Sequence, residues 1–158
     1  MNDRVPMTVN GKLQMQKKLK QLKEIERPKI IKEIEVARAH GDLSENAEYQ
    51  YAKDQQGMIE SYIRNFEGKI SSSEVIDPSK LSGERIVFGA TVTVYEFDTE
   101  KKSTYQIVGA DESDFENGLL SIESAMARAL MGKSEGDEAT VRTPKGTRDL
   151  EVVSVEFK

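Results

Sequence analysis

The chain contains no cysteine and no tryptophan, and His40 is its single histidine. Without cysteine there is neither a disulfide nor a thiolate metal site, and one histidine argues against a zinc centre. No stretch approaches the roughly 20 apolar residues of a membrane-spanning helix. The N-terminal residues lack the apolar core of a signal peptide, so the expected location is the cytoplasm, with no membrane partner. The 158 residues suit one globular domain or two small ones, rich in solvated surface: 32% of residues are charged and 37% hydrophobic.

The net charge of −5 is unevenly spread. Residues 12–32 hold eight Lys or Arg against Glu24 and Glu26, whereas residues 33–67 hold eight acids against Arg38, Lys53 and Arg64. Such polarity bears on partners and steering, not on fold, and the overall acidity argues against a general duplex-DNA binder.

Glycine is absent from residues 12–39, which are rich in Lys, Glu, Leu and Ile. Met15, Leu19 and Leu22 step by four and three, and Ile30 or Ile31 with Ile34 resumes the stripe beyond Pro28. Proline lacks an amide hydrogen, so a kink or a fresh helical segment is expected there. A second stripe, Gln55, Ile59, Ile63, Phe66 and Ile70, runs through residues 45–70. Narrow stripes at this spacing suit the seam of an antiparallel coiled-coil hairpin, about 40 Å long at 1.5 Å per residue. The hairpin domain is expected over residues 1–76.

Beyond "SSSEVIDPSK" the period shifts from helical to two. Residues 90–97, 103–109, 119–122, 138–142 and 149–157 are β-branched and aromatic, with Gly, Asp and Lys between them. One short helix is predicted at residues 124–131, with Ser124 as N-cap and Gly132 as terminator. The expected class is α+β: the helical hairpin, then an antiparallel β-sheet domain with one short helix over residues 77–158.

Between the helical runs lies "HGDLSENAEY". Asp42 and Glu45 have the spacing of a capping box, and both would favour the positive end of a helix. Their other reading is chemical. Two carboxylates at the far end of a projection suit a magnesium ion completed by a partner, since magnesium takes one or two carboxylates, waters and substrate phosphates. Such a tip suits a two-metal phosphoryl-transfer site in another enzyme. At this stage capping and metal sharing both stand.

"ARAHGDLSENAEYQYAKDQQG" (37–57) resembles the tip of the bacterial Gre transcript-cleavage factors, a transcription elongation family, nearest to its GreA branch. "ERPKIIKEIEVARA", "VIDPSKL", "VFGATVTV" and "ARALMGK" extend the resemblance along the chain in the same order. One departure is Ser124-Ala125, where the family commonly carries Ser-Pro.

The resemblance implies a C-terminal domain of FK506-binding-protein-like (FKBP-like) topology that binds bacterial RNA polymerase, and a coiled coil that enters the secondary channel. There the tip stimulates the polymerase's own cleavage of the extruded 3′ RNA in backtracked complexes, so the chain is not itself the enzyme. Asp42 matches the residue that helps hold a second magnesium, and Glu45 the one that positions or deprotonates the attacking water. Together they are the expected magnesium ligands, shared with the polymerase. Ser44 and Asn46 match tip-orienting positions, and Arg38 and Lys53 match residues facing RNA. Tyr49 and Tyr51 are read as hairpin packing, and a monomer is expected. Two other readings are a channel-occupying inhibitor, which would be expected to alter the tip acids, and a prolyl isomerase or chaperone.

Overall fold

The computed structural model describes residues 4–41 and 46–158. The chain forms two compact units, one of Lys12–Ser73 and one of Met1–Gly11 with Glu74–Lys158.

In the first unit, helix α1 (Val9–Gln21) enters from the other unit and is followed by a π-helical segment, Leu22–Glu26, and then α2 (Arg27–Arg38). The Arg27 N–H bonds back to the Leu22 carbonyl, five residues earlier, immediately before Pro28. Proline has no N–H to keep the α-helical ladder, and a single wide turn absorbs the interruption. The expected fresh segment therefore begins one residue before the proline.

Helix α3 (Ala47–Ser71) returns against α2. Lys23 pairs with Glu67 and Arg27 with Glu60, so positions rise on one arm as they fall on the other and the arms are antiparallel. Arg27 is bidentate, Nε and Nη2 donating to the two Glu60 oxygens at 2.7 and 2.9 Å, which fixes register. That guanidinium lowers the Glu60 pKa. Ile30, Ile34 and Ala52 are buried between the arms, with Tyr49 and Ile59 packed against them. Ile30 is the seam residue; Ile31 is exposed.

The second unit is built on a five-stranded sheet in the order β5-β4-β3-β7-β6. Its strands are β3 (Thr91–Glu96), β4 (Lys101–Val108), β5 (Leu119–Ser121), β6 (Glu138–Thr143) and β7 (Gly146–Glu156). Helix α4 (Ala125–Leu130) adds Met126, Ala127 and Leu130 to a core with Val92, Ile107 and Leu150. Ser124 caps α4, its Oγ accepting from the Ala127 N–H at 3.2 Å, without a following proline. Gly132 beyond it has φ 82°.

Three features depart from expectation. The sheet is not wholly antiparallel, because β5 runs parallel to β4, Gln106 opposite Leu119 and Val108 opposite Ser121. Parallel neighbours need a crossover, supplied by residues 109–118 with two short 3₁₀ turns, Ala110–Glu112 and Phe115–Asn117. Two further strands, β1 (Val5–Thr8) and β2 (Ser73–Ile76), pair with each other. Residues 1–76, expected to form one domain, are divided: the first eleven residues and those from Glu74 onward belong to the sheet unit.

Arg148 on β7 grips Glu96 on β3, Nε and Nη2 donating at 2.6 and 2.8 Å to a carboxylate whose side chain is 15% accessible. Arg148 holds the Glu96 pKa below its usual value, against the opposing effect of burial. A lowered carboxylate pKa contributes stability above the unfolded pKa, and that stability is lost as pH falls through the folded one. Glu96→Gln is therefore expected to lower Tm at pH 7 and flatten the loss of Tm from about pH 5 downward, measured by thermal melts across pH.

Candidate functional site

The end of the hairpin is built by helix termination on one arm and capping on the other. Helix α2 closes with the Ala39 N–H bonded to the Glu35 and Val36 carbonyls and the His40 N–H to Ala37. Gly41 follows at φ +124°, a conformation that L side chains rarely adopt. Helix α3 opens at Asn46, an extended residue (φ −82°, ψ 101°) whose Oδ1 accepts from the Tyr49 N–H at 3.1 Å. The same side chain reaches the opposite arm, where Nδ2 donates to the Ala37 carbonyl at 2.7 Å. One amide thus satisfies an orphan donor of α3 and adds a second donor to a carbonyl in the last turn of α2 that already accepts from the His40 N–H.

This overturns the capping reading of Asp42. The N-cap of α3 is Asn46, and the first helical residue is Ala47, so Asp42 and Glu45 do not form the capping box of that helix. The available signal was Asn46 itself, asparagine being among the strongest N-cap formers. Asp42, Ser44 and Glu45 lie outside the described residues. Asn46→Ala is expected to cost about 1 kcal/mol through the lost cap alone. Asn46→Asp, which keeps the acceptor but loses the donor to Ala37, should recover most of that in chemical denaturation.

Arg38 ends α2 and is exposed; a cation there suits the negative end of the helix dipole. Lys53 on α3 is also exposed, its Nζ donating to Gln56 Oε1 at 3.2 Å. Tyr49 packs into the seam as expected, but Tyr51 does not: it is 65% exposed. Asn46 is the expected tip residue that the structure places in a definite bonding role, joining the two arms. Among the described residues, no three His, Asp or Glu side chains gather as a metal site. The carboxylates of Asp42 and Glu45 and the Ser44 hydroxyl are hard oxygen donors of the kind magnesium takes, too few to enclose it without a partner.

Two family models match this architecture in sequence. One, described as the N-terminal region of a transcription elongation factor, matches residues 5–75, and one described as the GreA/GreB C-terminal region matches residues 81–157. The chain is 55% identical over 157 residues to transcription elongation factor GreA of Magnetococcus marinus, covering 99% of this chain and 100% of that one. It is 52% identical to the GreA of Hyphomonas neptunium over 156 residues, 99% of each. A solved structure of the transcription factor Gfh1 is 25% identical, with a TM-score of 0.47 over 98% of this chain and 99% of that one. The chain belongs to the GreA/GreB family of transcription elongation factors.

Proposed function

We propose that this elongation factor stimulates transcript cleavage by bacterial RNA polymerase in the cytoplasm, acting as a monomer and not as an enzyme by itself. The sheet unit, read as FKBP-like, docks on the polymerase, and the hairpin, read as a coiled coil, enters the secondary channel. The tip then meets the 3′ RNA of a backtracked complex. The observation that carries this reading is Asn46, which caps α3 and ties it to α2 beside the acid-bearing residues 42–45. With that helix start capped by an amide, the Asp42 and Glu45 carboxylates are not needed there.

In this mechanism Asp42 would supply a carboxylate to a second magnesium shared with the polymerase, and Glu45 would orient the attacking water and accept its proton. That ion would supply charge stabilisation for the in-line displacement at phosphorus. Ser44 and Asn46 hold the pair in register. Arg38 and Lys53 attract the RNA phosphates, a salt-sensitive interaction. The chain brings these groups to a centre it does not own, so its own residues contribute position and a proton acceptor.

The test adds the purified chain to halted, backtracked polymerase carrying end-labelled RNA. Shortened RNA that can be re-extended is the expected product. Saturating binding with uncut RNA would sink the proposal; inhibited nucleotide addition under the same conditions would instead favour a channel-blocking regulator.

A further inference from the structure

One flank of the hairpin carries a groove of about 480 Å³ that the tip chemistry does not use. Lys29, Lys32 and Val36 line it from α2 in steps of three and four, and Tyr51 and Ala52, three and four residues beyond Glu48, line it with Glu48 from α3, so each set shares one helix face. Its apolar walls are unusually open: Tyr51 is 65% and Val36 53% exposed, against 4% for Ala52 on the floor. Neither Lys29 nor Lys32 has an ion-pair partner among the described residues, although Lys23 and Arg27 on the same arm do.

We propose that this groove seats one nucleotide of single-stranded RNA, its base stacked between Tyr51 and Val36 and its phosphates beside Lys29 and Lys32. An exposed aromatic ring next to cations is the usual platform for single strands, tolerant of sequence because every base has a π face. Lys32 lies four residues from Val36, about 6 Å along the helix axis, which separates the cationic end from the stacking end. Glu33 and Glu48 also line the groove. Their carboxylates disfavour a phosphate beside them and accept from base N–H groups, so they orient the base towards Glu48 and the phosphates towards the lysines. An amphipathic partner helix is the competing occupant, since Met58 and Tyr62 are also exposed seven and eleven residues beyond Tyr51 on the same face; the two lysines beside the ring, without ion-pair partners among the described residues, favour the nucleic acid. The choice of RNA as occupant rests on the transcript-cleavage reading, which brings an extruded 3′ segment alongside the hairpin.

The experiment uses the full chain and a fluorescein-labelled single-stranded oligoadenylate without polymerase, following anisotropy over a range of salt. Tyr51→Ala is expected to weaken binding by about 5- to 150-fold and Tyr51→Phe to leave it near wild type. Lys29→Gln with Lys32→Gln should reduce the slope of log K against log salt by about 1.4. Helicity is checked by circular dichroism, and polymerase affinity is measured separately. Wild-type chain that fails to bind the oligomer, or Tyr51→Ala that binds it as wild type does, overturns the proposal. So does a variant that loses polymerase affinity while keeping the oligomer, which would make the groove a protein contact. Because polymerase is absent, selective loss of oligomer binding supports the groove even where transcript cleavage fails. Normal cleavage with an unaffected Tyr51→Ala overturns the groove alone.

Discussion

Asp42→Asn is expected to slow cleavage in a backtracked complex by about 100- to 1,000-fold, the order lost when one group that stabilises transition-state charge is removed. Asparagine is nearly isosteric with aspartate but neutral, and therefore a poorer magnesium ligand. Helix α3 is capped by Asn46, so the substitution removes no helix cap and should leave folding and polymerase affinity unchanged. Glu45→Gln is expected to lose about 100- to 10,000-fold, the range for a positioned proton acceptor. The two losses differ in rescue. Added magnesium restores much of the rate to Asp42→Asn, whereas higher pH partly restores Glu45→Gln by supplying hydroxide. Single-turnover cleavage of end-labelled RNA reads both.

The second large effect lies far along the chain from the tip acids. The Glu112 carboxylate accepts from the Thr8 N–H at 3.0 Å, from the Gly109 N–H at 2.9 Å and from the Thr8 hydroxyl, and the Gly11 N–H donates to that hydroxyl at 3.0 Å. Thr8 is 3% exposed. A Cβ at Gly11 would overlap the Glu112 carboxyl group, so Gly11→Ala must displace it and break this cluster. Helix propensity favours alanine by about 1 kcal/mol, but hydrogen bonds to a charged group are worth about 1.5–3 kcal/mol each. The cluster wins, and Gly11→Ala should destabilise the chain by about 2–4 kcal/mol in chemical denaturation. In a Glu112→Ala background the same substitution should be neutral or stabilising, because the obstacle is gone. That non-additivity separates this account from a general intolerance of alanine at the helix start.

What could be read in advance divides along physical lines. The long helices, the Pro28 interruption and the Ser124 cap follow from local rules, and all three are present. Strands β3, β4, β6 and β7 carry their β-branched residues in order along the chain and were legible for that reason. Strand β1 was not: Val5–Thr8 is short, contains Pro6, and has its partner Ser73–Ile76 beyond the whole hairpin. The parallel direction of β5 depends on how residues 109–118 cross over, which periodicity does not encode. At the tip, Asp42 and Glu45 matched a capping pattern, but the helix starts later, at the asparagine that also reaches Ala37. Tyr51, expected in the hairpin packing, is exposed because the register puts Ala52 in the seam instead.

The central claim is that the tip shares a magnesium ion with the polymerase. The most direct measurement follows cleavage rate against magnesium concentration in backtracked complexes without the chain, with it, and with Asp42→Asn at matched polymerase occupancy. The account predicts that the wild-type chain shifts the magnesium midpoint to lower concentration and that Asp42→Asn abolishes the shift. An identical midpoint in all three, with the rate changed or not, would contradict a shared metal.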